Sequence, residues 1–158
     1  APLWGQYGDG VWIAASPVSL PAMVLFAGSL IGNPALPAPG AAQAARKPAH
    51  GVFRVTRHPM MWGFALWALA HLIAAPTPRT VVVALAIGVL ALVGVHLQDR
   101  KKEALMGDAW RQWEAQTSYW PRLHSIFSAG IIPWFVGLAI WLGATWLHAM
   151  EAGVWRWV

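Results

Sequence analysis

The sequence predicts an all-α integral membrane protein: a bundle of four transmembrane helices with an amphipathic helix on the cytoplasmic interface. Three observations predict it. Of 158 residues, 58% are apolar and only 11% are charged, against roughly 25% charged in an ordinary soluble domain. The charges are clustered, so that no Asp, Glu, Lys or Arg lies between Asp9 and Arg46, Arg57 and Arg79, Arg79 and Asp99, or Arg122 and Glu151. A spanning helix needs about 20 mainly apolar residues, and each of these gaps holds such a stretch. The length suits one domain, 1–158, and no internal repeat is visible. The first residue is Ala1 rather than Met, as in a processed, trimmed or partly covered chain.

The first predicted span is Val11–Ile31. It has Asp9 before it and prolines after it, without the basic start and small-residue cleavage site of a signal peptide. Asn33–Ala49 is rich in Pro, Ala and Gly with no apolar period, and is expected to be an extended, mobile loop. The second span is Pro59–Ala75. Proline suits the first helical position, which puts His58 at the N-cap. Pro76-Thr77-Pro78-Arg79 makes a tight outer turn into the third span, Thr80–Leu97. Arg100–Gln116 carries Leu105, Trp110 and Trp113 among charges and reads as an amphipathic helix on the membrane surface. Tyr119, Trp120 and Pro121 end it at headgroup depth. The fourth span is Ile131–Met150, and the tail Gly153–Val158, with Trp155 and Trp157, reads as a second interfacial anchor. Gly28, Gly88, Gly94, Gly137 and Gly143 would let helices approach closely.

The loops give an orientation. Four of the eleven Lys and Arg lie in 46–57 and five in 100–122, leaving Arg79 and Arg156 for the other side. The positive-inside rule then puts loops 32–57 and 99–130 in the cytoplasm of a bacterial inner membrane and both chain ends outside. The net charge of +5 is explained by a basic face beside anionic lipid and calls for no nucleic-acid partner.

The absence of cysteine excludes a disulfide framework, a thiolate zinc site, a cysteine-ligated cluster and a cysteine nucleophile. No two acidic residues share a span, which argues against a carboxylate hydrolase. There is no phosphate-binding glycine loop and no nucleophile elbow. The chemistry is left to histidine or to a bound cofactor. His50 and His124 read as solvated. His58 is either a helix cap, with Arg57 snorkelling to lipid phosphate, or a polar group at the mouth of the bundle. His96 precedes Asp99 by one turn, as in an interfacial ion pair or an orienting contact. His148 precedes Glu151 in the same way at the opposite face. His71 lies about 18 Å beyond Pro59 along the helix, inside the hydrocarbon and towards its outer half. Ionisable groups at such depth face the bundle interior. Phe64, Trp67, Ala68 and His71 form one stripe. Small Ala68 would leave room for a flat ligand, although a neutral histidine bonded across to another helix is the plainer reading.

Gly51-Val52-Phe53-Arg54-Val55-Thr56-Arg57-His58-Pro59-Met60-Met61-Trp62-Gly63 followed by Leu66-Trp67-Ala68-Leu69-Ala70-His71 resembles the core motif of the NnrU family of membrane proteins, which includes the plant 15-cis-zeta-carotene isomerase. The likeness continues through Asp99-Arg100, Thr117-Ser118 and Trp146-Leu147-His148 to the Trp-rich end. The resemblance implies a small helical membrane protein, usually with a further helical pair before the region of Ala1 that contains a histidine. It also implies haem b as cofactor, with His71 at the position of an axial ligand to the iron. Ala68 stands where the plant enzyme has cysteine, so a Cys/His ligand switch does not carry over. His58 and His148 are the candidate second ligands. His148 fits by depth, because two axial nitrogens must lie at one level; His58 fits by motif.

Three functions follow. The first is a haem-b protein of isomerase type, acting on a hydrophobic polyene such as a carotenoid, with Trp62, Trp67, Trp134 and Trp141 suited to flat apolar molecules. The family's name connects it with nitrogen-oxide metabolism, so isomerisation is not obligatory. The second is an S-adenosylmethionine-dependent methyltransferase of the isoprenylcysteine type, whose Arg-His-Pro unit is shared, with His58, Pro59 and Glu103 binding the cofactor. Against it, the paired glutamates of those enzymes are replaced by Asp99-Arg100-Lys101-Lys102-Glu103, and their tyrosine by Met60-Met61. The third is a non-catalytic accessory subunit of a larger membrane complex.

Overall fold

A computed structural model describes Leu3 and residues 8–148. The tail with Trp155 and Trp157, Glu151 and the end of the fourth predicted span lie outside the described residues. Those described form helices and turns without a strand: α1 (Asp9–Gly28), α2 (Ala41–Ala45), α3 (Pro59–Ala74), α4 (Pro78–Met106), α5 (Asp108–Gln116) and α6 (Ile131–Trp146), with short 3-10 turns at Gly51–Arg54 and Leu123–Ser128. The all-helical class is as expected. Spanning length is met by two helices only. α1, with 20 residues, and α4, with 29, are long and apolar enough to cross a membrane. α3 and α6 are apolar but have 16 residues each, about 24 Å at 1.5 Å per residue, short of the roughly 30 Å hydrocarbon core.

The helices stand in a curved row. α1 lies between α3 and α6, and α4 packs on the far side of α3. Small residues make these contacts possible. Gly63 faces the Ala22 carbonyl, and a Cβ at Gly137 would stand 2.7 Å from Val24 Cα. Ala15, Ala22, Ala27, Ala68, Ala84 and Ala91 are all buried. Interfaces of small residues let backbones approach closely enough for dispersion contacts to hold helices together in lipid. The outer faces are apolar and open: Leu90 on α4 is 72% exposed and Phe135 on α6 is 74% exposed. Contiguous apolar surface on this scale marks a lipid-facing or partner-facing wall.

The structure corrects two expectations about the basic end. Arg100–Gln116 is not one surface helix. α4 runs on through the charged stretch to Met106, because no Gly or Pro interrupts it, and Gly107, at φ 52°, turns the chain into α5. α5 does not lay its apolar face on lipid: Trp110 and Trp113 are fully buried in protein, with Phe53 edge-on to Trp113 at 5.3 Å. Asn33–Ala49 is also folded rather than extended. It contains α2, buries Ala35 and Ala45, and is tied to α5 through Gln116, which accepts from Ala49 N at 2.9 Å and donates to Lys47 O at 2.8 Å. The densest core of the molecule therefore sits in this cap, under the ends of the long helices. The cap also joins the two basic loops, as the orientation argument requires: Arg122 N donates to Val55 O and Arg57 N to Ser118 O, both at 2.9 Å.

Gly137→Ala is expected to force α1 and α6 apart and cost about 1–3 kcal/mol, the usual cost of overpacking. Gly143→Ala, where a Cβ meets nothing within 4 Å, should be neutral. Thermal unfolding of both variants in detergent checks the pair.

Candidate functional site

Two polar assemblies lie at opposite ends of α3. The first begins at its N-terminus. His58 occupies the N-cap position, yet its side chain makes no capping bond. The ring is turned inward with no exposed surface, Nε2 2.8 Å from Asp99 Oδ1 and Nδ1 3.1 Å from Gln98 Oε1. Arg57 does not reach for phosphate. Its Nε and Nη2 both donate to Asp99, the latter at 2.8 Å, and its guanidinium lies over the Tyr119 ring. Trp110 Nε1 donates to Asp99 Oδ1 at 3.2 Å. Asp99 is thus the meeting point of the α3 start, α4 and α5. His96 is exposed and does not pair with it. Glu114 lies 3.7 Å from Arg57 Nη2. Burial first, and then the neighbouring Asp99 charge, push its carboxyl above the ordinary range.

This assembly is a clamp, and protein encloses the His58 ring within it. Of the residues His58, Pro59 and Glu103 that the methyltransferase reading assigns to S-adenosylmethionine, His58 and Pro59 are both buried. Trp62 and Trp134 belong to the same end. Their indole N–H groups donate to Tyr119 O at 3.0 Å and Ile126 O at 2.9 Å, so they anchor the cap rather than wait for a flat guest.

The second assembly is at the other end of α3. His71 lies in the last turn before Ala74, close to the rim of the bundle rather than deep in its middle. Its Nδ1 is 2.9 Å from Trp67 O, and its ring lies tilted by 41° against the Trp67 ring, with the centroids 3.9 Å apart. His148, just past the end of α6, repeats the arrangement, with Nδ1 2.7 Å from Ala144 O. A carbonyl can only accept, so in both rings Nδ1 carries the proton, and in the neutral imidazole Nε2 then keeps its lone pair. The two ring centroids are 6.1 Å apart. The structure therefore brings together His71 and His148, and keeps His58 about 20 Å away along the helix.

Both imidazoles line two neighbouring cavities. One, of about 240 Å³, is an apolar hollow walled by Trp12, Met23, Trp67 and Trp141 and floored by alanines such as Ala70 and Ala74. Trp141 is held by its indole N–H, which donates to Ser19 Oγ at 2.9 Å. The other, of about 590 Å³, reaches towards Thr77, Arg79 and Thr80, and its size lies within the roughly 300–1,000 Å³ of small-molecule sites. Ala68 is not part of either wall; it is buried in helix packing. The room comes from Ala70 and Ala74, on the adjoining stripe. α1 supplies Trp12, Ser19 and Met23, which no motif singled out; only its position between α3 and α6 brings them here.

A family model described as NnrU protein matches residues 1–156. The chain belongs to the NnrU family. No curated protein and no solved structure matches it. In this NnrU protein, the Arg57-His58-Pro59 unit serves the clamp, and the Trp67…His71 unit serves the cavities.

Asp99→Asn should strand Arg57 among buried partners and destabilise the fold by about 3 kcal/mol, read as a lower midpoint in thermal unfolding. Glu114 has the opposite sign. An acid whose folded-state value is raised holds its proton more tightly when folded, so stability falls as pH climbs through that window. Glu114→Gln is expected to remove this decline, visible in unfolding curves taken from pH 4 to 7.

Proposed function

We propose that this NnrU-family protein is an integral membrane haem-b protein in which His71 and His148 would hold the iron. The observation that supports the reading is the pair of imidazoles with Nδ1 bound to backbone and Nε2 free, 6.1 Å apart at the wall shared by two cavities. Metal-bound histidines characteristically donate their second ring N–H to a carbonyl or carboxylate, which fixes tautomer and orientation. Metal–nitrogen bonds are about 2 Å long, so rings at this separation can present both Nε2 atoms to one ion. No group of three or more His, Asp or Glu in metal-binding arrangement occurs among the described residues; two ligands suffice only where the remaining donors come with the cofactor, as in haem.

When bound, the group would supply reversible one-electron chemistry beside an apolar slot, enough to weaken a double bond of a conjugated polyene for rotation. The chain's own residues do the rest. Trp67 O and Ala144 O orient the imidazoles. Trp12, Met23 and Trp141 exclude water from the hollow and fit a flat hydrophobic molecule such as a carotenoid. Four helices cross the bilayer in this reading. The short α3 and α6 end below the outer headgroups, and the basic cap lies on the cytoplasmic side. The sealed state of His58 weighs against a methyltransferase.

An absorption spectrum of the gently solubilised protein, oxidised and reduced, tests this. A Soret band is expected. His71→Ala and His148→Ala should each weaken or shift it, while His58→Gln should leave its position unchanged and lower thermal stability. A protein without a Soret band that travels with other membrane subunits would instead be an accessory chain.

A further inference from the structure

The wider cavity has a chemical character that the apolar hollow lacks. Its lining includes Arg79, Thr77 and Thr80 beside His71 and His148, and no Asp or Glu among the described residues. Arg79 is exposed on the first turn of α4 and makes no ion pair among the described residues. The other arginines of the bundle's inner end are engaged or lie on the basic cap; Arg79 stands apart from them at the outer rim. Thr77 Oγ1 accepts from Thr80 N at 3.2 Å and lies 2.9 Å from Thr80 Oγ1. Only one proton is used between two hydroxyls, so the second remains available to an acceptor. A guanidinium and a hydroxyl proton, facing a space that no acidic group among the described residues lines, form a recognition surface for a carboxylate. The same Trp67, His71 and His148 also line the hollow of Trp12, Met23 and Trp141, so the two spaces adjoin at these side chains.

We infer that the outer cavity is a carboxylate seat: it holds the acidic end of an amphiphilic guest whose apolar body lies past the two imidazoles. The inference rests on the haem reading for the guest's identity, in which the seat takes the propionate edge of the porphyrin and so sets which face and edge of the ring point outward. The chemistry of the seat itself would equally suit a long-chain fatty acid, and the test separates the two.

The full chain, free of endogenous cofactor and held in phosphatidylcholine nanodiscs, is titrated with haemin and with haemin dimethyl ester, and binding is followed by absorbance. The wild type should bind haemin about tenfold more tightly than the ester, the scale of one charge-assisted contact at a partly solvated site. Arg79→Gln should erase that preference without moving the Soret band, and Arg79→Lys should keep most of it. Arg79 is exposed, so neither change threatens folding. If Arg79→Gln leaves the preference intact, the seat is overturned and the axial ligation stands. If the wild type takes up neither porphyrin, the haem reading fails and a second arm decides the seat. Doxyl-labelled stearate should then quench tryptophan fluorescence more strongly than its methyl ester, with the difference lost in Arg79→Gln. Equal quenching by acid and ester in the wild type overturns the seat.

Discussion

The carboxylate of Asp99 is the interaction on which the rest of the molecule depends. It lies near the far end of α4, and within one contact shell it gathers Arg57 and His58 from the start of α3 and Trp110 from α5. α3 and α4 are joined at the other end by the short turn Ala75–Thr77. The hairpin is therefore pinned at both ends, and neither helix can slide past the other without breaking a buried charge contact. Everything at the outer rim takes its depth from that register. Shift α3 by one turn, and His71 would move about 5.4 Å relative to α4, out of the wall it shares with Thr80 and Val83.

Such a clamp adds less to stability than its contacts suggest. Moving Asp99 and Arg57 out of water costs several kcal/mol per ion before their attraction and hydrogen bonds offset it. Its effect is on choice of arrangement. A helix row held by alanine and glycine contacts has many nearly equal sliding positions, because small side chains interlock weakly. One carboxylate with three hydrogen-bond donors and an imidazole against it admits a single position. Glu114, in the same region, is pushed towards its neutral form first by burial and then by the Asp99 charge. The cap has the complementary role. Trp110 and Trp113 bury large rings under the helix ends, supplying the apolar area that the slender helix contacts do not.

The sequence made the helical class legible because charge gaps and apolar length report directly on what a segment can be buried in. It also marked His71 as facing inward, since an imidazole in an apolar helix has few other places to go. The clamp was not legible: Arg57 and Asp99 are separated by 42 positions, and each reads locally as an ordinary interfacial charge. α5 was misread for a different reason. An apolar face on a short charged helix looks the same whether lipid or Phe53 covers it. Only the fold of Asn33–Ala49, itself disguised by Pro and Gly, decides between them. His148 was legible as a partner for His71 by depth alone, with His58 left beside it as the choice by motif; the packing of α1 against both α3 and α6 is what brings the two rings together.

The shortness of α3 and α6 is the step that connects this architecture to chemistry. A histidine at the middle of a full-length span would face hydrocarbon on every side that protein does not cover, and polar groups of a guest would have to share that cost. Here α3 stops three residues after His71, α6 stops two before His148, and the next turn of chain is Thr77-Pro78-Arg79-Thr80. The imidazoles therefore stand on a boundary. Towards α1 the walls are tryptophan, methionine and alanine; towards the start of α4 they are hydroxyls and a guanidinium. A molecule that is apolar at one end and acidic at the other meets complementary surfaces on both sides of the same two nitrogens. Lengthening either helix by a turn would carry that boundary away from the histidines.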